Sequence, residues 1–217
     1  MNKACTVALL LTLAACDNNP AEGKTMAKVG APAEVKTQAV GSATAAEKYV
    51  FSNATSKFEF VGAKVTRKHD GAFNVFTGAI DLVEGDPGKT VVTVDIATNS
   101  LTADDPKLTE HLKSPDLLDV TKFPKASFRS TNIAPTSDPI ATHTITGNLE
   151  FHGVTKSVTF PAKVRVTAGV VDADAEFAIN RKDFGIVYPG MPDDLIKDEV
   201  LLKVKLHGVK MPLADPH

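Results

Sequence analysis

Ile145-Thr146-Gly147-Asn148-Leu149-Glu150-Phe151-His152-Gly153-Val154-Thr155-Lys156 is the stretch on which the fold turns. Ile145, Gly147, Leu149 and Phe151 alternate with Thr146, Asn148, Glu150 and His152. A period of two places the first set on one face of a strand and the second on the other. One face is apolar and the other hydrated, which favours antiparallel over parallel pairing.

The same period extends in both directions. Upstream, Phe58 and Phe60 alternate with Lys57 and Glu59. Downstream, Val158 and Phe160 share a face, as do Val164 and Val166, and then Ala175, Phe177 and Ile179. Near the end Val200, Leu202, Val204 and Leu206 alternate with Lys203, Lys205 and His207. His69-Asp70-Gly71, Asp86-Pro87-Gly88 and Ser137-Asp138-Pro139 read as turns between runs. One segment breaks the pattern. Asp105 suits a helix N-cap with Pro106 at the first position and Leu108 and Leu112 one turn apart, and Ser114-Pro115-Asp116 repeats the cap logic. Two short helical pieces near residues 105–120, a lid or plug, are therefore expected. Several strands in roughly 160 residues make an all-β sandwich or a closed barrel, and periodicity alone does not separate the two.

The ends carry different information. Lys3 precedes an uncharged run from Ala4 to Ala15, too short for the about 20 residues that span a bilayer but suited to a signal peptide. Leu13-Ala14-Ala15-Cys16 resembles a bacterial lipobox, whose Cys is acylated and becomes the new N-terminus; an ordinary signal peptide cleaved at the same Ala pair would leave Cys16 incidental. From Asp17 to Glu47 there is no Leu, Ile or aromatic residue, so this stretch reads as a flexible tether. The expected division is 1–15 signal peptide, 16–47 acylated Cys16 and tether, 48–210 barrel domain and 211–217 tail. Cys5 and Cys16 are the only cysteines, so the mature domain has neither disulfide nor free thiol to use. The formal net charge of −2 does not suggest nucleic acid. No Gly-x-Ser-x-Gly, Walker loop or dinucleotide fingerprint occurs, so an enzyme is not expected. His111 and His152 form no His-x-His or His-x₃-His pair, and no metal site is expected.

Three ordered stretches bear a resemblance. The first runs from His111 through Leu117-Leu118 to Phe123-Pro124 and Ala126-Ser127-Phe128. The second is Gly147 to Lys156. The third is Ile179-Asn180-Arg181-Lys182-Asp183-Phe184-Gly185-Ile186 with Ile196-Lys197-Asp198-Glu199-Val200 downstream. Together they resemble the YceI-like family of polyisoprenoid-binding periplasmic proteins, over about Tyr49 to Gly208. The resemblance implies a closed, lipocalin-like antiparallel barrel of about eight strands holding a polyprenyl chain, isoprenoid quinone or fatty-acid derivative. It implies no cofactor, no established catalysis and a homodimer as one state of the chain. Two departures stand out. The family's opening Trp, Asp and His-Ser are here Tyr49, Ser52 and Thr55-Ser56, and its paired Phe is Leu117-Leu118.

On this reading Phe58, Phe60, Ile145, Leu149, Phe151, Phe177 and Ile179 line the lumen. Arg181 and Asp183, two apart on a strand, pair to fix its end or meet a lipid head group. The expected function is a carrier or reservoir of a long apolar lipid, anchored through Cys16 to the envelope membrane and facing the periplasm. The alternative is a structural or protein-interaction barrel filled by its own side chains.

Overall fold

The computed structural model describes residues 18–34 and 46–212. In chain order it contains β1 (Lys28–Gly30), β2 (Glu47–Ser52), β3 (Lys57–Ala63), β4 (Lys68–Phe73), β5 (Phe76–Val83), β6 (Asp86–Ala97), β7 (Leu101–Ala103), α1 (Pro106–Lys113), β8 (Lys125–Pro135), β9 (His143–Phe151), β10 (Val154–Thr167), β11 (Val170–Asn180), β12 (Gly190–Met191), β13 (Asp194–Leu195) and β14 (Glu199–Lys210). β2 and β3 form one bent stave, as do β4 with β5 and β6 with β7. With β8, β9, β10, β11 and β14 these make eight antiparallel staves, each hydrogen-bonded to the next in sequence. β14 then pairs with β2 and β3, closing the ring. The sheet is a lipocalin-like barrel, and the sandwich is excluded.

The bend in the first stave is fixed where the family's His-Ser would stand. Thr55 Oγ1 donates to His207 O at 3.0 Å, and Ser56 Oγ accepts from His207 N at 2.9 Å. Both hydroxyls act on the β14 backbone and hold the two halves of the stave against one strand.

Several local expectations are corrected. The turn after β5 is Glu84-Gly85, with φ of 56° and 71°, and Asp86-Pro87-Gly88 begins β6. Likewise His69-Asp70-Gly71 lies inside β4. Gly71 is there because the Phe60 ring of the paired strand occupies its missing Cβ position: a Cβ would sit 2.2 Å from Cζ. His152 does not continue β9; with Gly153 it forms a two-residue hairpin turn at φ of 50° and 72°, the left-handed pair that matches strand twist.

α1 forms as its cap predicts. The Asp105 carboxylate accepts from Lys107 N at 2.7 Å and Leu108 N at 3.0 Å, and Pro106 takes the first turn. Hydrogen bonding to the Leu108 N–H, the larger lowering contribution, holds this carboxyl below its ordinary range. The second helical piece does not form. After Ser114 the chain makes irregular turns, with Leu118 N bonded to Leu112 O and Val120 N to Lys113 O, which press Leu117 and Leu118 inward.

The tether is also corrected in part. Residues 18–34 lie along the barrel: β1 pairs with β10, and Ala27 is buried. Backbone hydrogen bonds to a strand edge order this segment despite its lack of large apolar side chains. The signal peptide, Cys16 and residues 213–217 lie outside the described residues.

Arg181 locks the rim. It is buried, in a 3-10 turn (Arg181–Phe184) and not on a strand. Its Nη1 donates to Ile186 O at 2.6 Å, its Nε to Lys197 O at 3.1 Å, and its Nη2 to Ile196 O and to Asp198 Oδ1 at 3.2 Å. The expected partner, Asp183, is exposed on the far side of the turn, since a 3-10 turn does not put residues two apart on one face. Burial pushes the guanidinium below its ordinary range, and the charge of Asp198 opposes this.

Two predictions follow from this packing. Gly147 faces the Phe128 ring at 2.4 Å and the Arg129 carbonyl oxygen at 2.5 Å from its would-be Cβ. The backbone oxygen cannot step aside, so Gly147→Ala costs about 1–3 kcal/mol, more than Gly71→Ala, where only a ring must move; equal losses in urea unfolding would contradict this. Arg181→Ala leaves carbonyls without donors and costs about 2–4 kcal/mol, whereas Asp183→Ala stays within about 0.5 kcal/mol. Matching losses from the two variants would restore the Arg181–Asp183 pair.

Candidate ligand-binding site

Small residues and rings laid along the wall leave the barrel hollow. Its lower chamber has a volume of about 170 Å³ and its upper one about 520 Å³. Phe73, Phe151, Ile179 and Leu202 line both, so the two lie end to end. Among the sequence-predicted lumen residues, Phe58, Ile145, Leu149, Phe151, Phe177 and Ile179 line the lower chamber, and Phe60 lines the upper. Their strands bring them together through the inward face of the period-two pattern, as with Ile145 against Phe160 and Phe177 against Leu202.

The alternative, a core filled by the barrel's own side chains, does not describe this interior. In a solid barrel the inward Leu149, Phe151, Phe160 and Val204 would be fully covered; each is only partly covered and borders the lower chamber. Alternation also pointed to Phe160, Leu202 and Val204, which join the wall beside the named set. Phe128 was missed as a wall residue, although Ala126-Ser127-Phe128 puts it one strand repeat beyond a buried alanine.

Tyr49, Ile80, Leu82 and Val171 form one buried cluster with Phe51 and Phe76. Tyr49 stands at the family's Trp position, and its phenol donates to Glu47 Oε2 at 2.9 Å. Burial first, and this hydrogen bond second, push the phenol above its ordinary range, so it stays a neutral donor. Glu47 in turn is held low by Lys210, which donates to its Oε1 at 2.6 Å.

The upper chamber lies between α1 and the β12–β13 hairpin. Leu117 and Leu118, in place of paired Phe, pack with Phe60, Leu101 and Ile186 over it. Its rim is more polar: Lys64, His69, Lys107, His111, Arg181 and Lys197 line it beside Asp105. Most of these basic side chains are engaged. Lys64 pairs with Asp194 at 3.3 Å, His69 with Asp104 at 2.9 Å and His111 with Asp116 at 3.5 Å. The donors of Arg181 described above serve the rim loop, which favours its structural role over head-group contact. His152, expected to be hydrated, is half-buried: its ring packs 4.5 Å from Phe123, and Nδ1 lies 3.1 Å from Phe184 O. Among the described residues no group of three or more His, Cys, Asp or Glu side chains converges on a metal-sized site. The chemistry available is that of an apolar container with a polar mouth.

The comparisons agree with this architecture. The model of the YceI-like domain matches residues 49–208. A UPF0312 protein of Pseudomonas putida is 34% identical over 149 residues, 64% of this chain and 73% of its own length. The protein YceI of Salmonella arizonae is 36% identical over the same shares of the two chains. Among solved structures, BcnA of Burkholderia cenocepacia superimposes with a TM-score of 0.63 at 24% identity, covering 71% of this chain and 97% of that one. A domain of Saccharophagus degradans, described as polyisoprenoid binding and implicated in plant cell wall breakdown, gives 0.60 at 15% identity over 76% and 99%. At these identities the structural likeness concerns the fold. The family match spans every stave of the closed barrel, from β2 to β14, and this chain belongs to the YceI-like family.

Proposed function

We propose that this protein holds a long apolar lipid along its two chambers, as a carrier or reservoir in the bacterial envelope, and that it is not an enzyme. The ligand class is a polyprenyl chain, an isoprenoid quinone or a fatty-acid derivative. The observation that carries this is the apolar tunnel, whose wall side chains are left partly bare inside a closed barrel. A cavity of about 150 Å³ lined by Leu, Ile and Phe stays dry and accepts apolar guests, and the lower chamber is of that kind. The upper one falls within the about 300–1,000 Å³ of small-molecule sites. The Saccharophagus degradans neighbour, described as polyisoprenoid binding, supports the same ligand class.

Energetics favour reversible loading. Taking about 30 carbons out of water, at about 0.8 kcal/mol each, is worth roughly 24 kcal/mol, above the ceiling of about 18–21 kcal/mol on non-covalent affinity. A lipid already in a bilayer is dry, however, so transfer into the barrel is near neutral. That suits a protein held beside a membrane. No helix among the described residues is long and apolar enough to cross one; the attachment proposed is acylation of Cys16, with the barrel facing the periplasm.

Organic extraction of the purified full chain followed by mass spectrometry tests this reading. An apolar chain near one per protein is expected. Leu149→Asp puts a charge into the wall and lowers lipid content at least about tenfold, and Ala175→Phe lowers it by filling the lower chamber without adding charge. A lipid-free wild-type extract that also fails to take up cis-parinaric acid overturns the proposal, as does undiminished content in a folded Leu149→Asp protein.

A further inference from the structure

β10 and β11 leave their hairpin as neighbours and then separate. Their backbone pairing runs from Thr167 opposite Val170 to Lys163 opposite Asp174. Beyond that point β10 keeps β9 on its other edge, and β11 keeps β14. The facing edges of the two strands are left to something else.

That something is the N-terminal segment. Lys28, Val29 and Gly30 of β1 pair antiparallel with Thr159, Val158 and Ser157 of β10. On the opposite edge Ala27 N donates to Ala178 O at 2.8 Å, and Ala178 N to Thr25 O at 2.9 Å. Ala27 is buried against Val158, Phe177, Ile179 and Phe184. Farther along, Ala33 N donates to Asn148 Oδ1 at 2.9 Å, and Asn148 Nδ2 returns a bond to Ala33 O at 2.7 Å. The segment thus fills the seam as an extra strand, and all of it precedes the family-matched residues 49–208.

Directly behind the seam is the lower chamber. Val158, Phe160, Phe177 and Ile179 belong to its wall. The Phe160 and Phe177 rings, one from each parted strand, stack across the seam at 4.1 Å with an interplanar angle of 9°. Buried Ile80 and Leu82 belong to its wall, and buried Tyr49 packs with them. One way out of it leads through the upper chamber under α1.

We infer that the β10–β11 seam is a lateral portal into the lower chamber and that residues 25–33 are a strap that closes it. This rests on the lipid-binding reading above. A strand lying between two others sets them about 9–10 Å apart, twice the inter-strand spacing. An apolar chain whose carbons stay about 3.5–4.0 Å from wall atoms needs about 7–8 Å between those atoms. With the strap lifted, the slot is wide enough, and the stacked rings form its inner leaf. Releasing a short strand breaks a handful of backbone hydrogen bonds, each with a small net value in water. Opening any other stave would break a full ladder.

The test uses the full chain with Cys5→Ala and Cys16→Ala, so that only an engineered pair remains. Lys28→Cys with Thr159→Cys places two thiols on directly opposed residues off the lumen face, within disulfide reach. Uptake of cis-parinaric acid is followed by its fluorescence. Oxidation is expected to slow uptake at least about tenfold without changing the amount bound at equilibrium, and reduction restores the rate. Ala27→Asp drives a charge into the apolar seam, loosens the strap and speeds uptake at least about threefold. Equal rates in the oxidised and reduced proteins, with probe bound by both, overturn the portal while leaving lipid binding intact; an unchanged rate in Ala27→Asp does the same. Failure of the reduced protein to bind any probe overturns both readings together.

Discussion

The ladder between β14 and the bent β2–β3 stave is the constraint from which the container follows. β14 is bonded along both edges, to β11 on one side and to β2 and β3 on the other. Without that second ladder the same staves would form an open, twisted sheet, and its apolar face would need a second layer to cover it. Closure lets the inward face serve as its own cover. It also places Thr55 and Ser56, which hold the backbone of His207, at a mechanically central position.

Closure alone does not leave room inside. Three glycines contribute to that. Gly71 lies opposite Phe60, Gly78 opposite Phe51, and Gly147 beside Phe128, each with the ring occupying the space of the absent Cβ. A ring that can lie on a neighbouring backbone need not stand across the barrel. Phe51 joins the buried cluster around Tyr49, while Phe60 and Phe128 turn into wall. The Phe and Tyr side chains of the wall are Phe58, Phe60, Phe73, Phe128, Phe151, Phe160, Phe177 and Tyr188, with no Trp in the chain.

The same glycines explain where sequence reading succeeded and where it stopped. Alternation identified which side chains face inward, because period two is a property of each strand alone. Phe58, Leu149 and Phe177 needed no knowledge of their neighbours. Gly71, in contrast, has two physical explanations, a turn or a ring above it, and the deciding atom belongs to a residue on the next strand. Arg181 is similar: the turn that aims it away from Asp183 and the Asp198 that receives it are set by packing at the rim. The N-terminal segment escaped notice for a different reason. Its attachment is by backbone hydrogen bonds, one small buried alanine and isolated polar contacts such as Asn148 with Ala33, and none of these leaves a mark in composition.

That mode of attachment bears on how the family domain behaves when handled alone. Cutting the chain at the start of the matched region would strip β10 and β11 of the strand that satisfies their inner edges, uncovering amide and carbonyl groups beside Val158 and Phe177. Bare edges of this sort recruit whatever extended peptide is at hand, most readily another molecule of the same kind. A shortened domain would therefore tend toward strand-exchanged assemblies, and an oligomer measured on it would report the missing cover in place of a native interface.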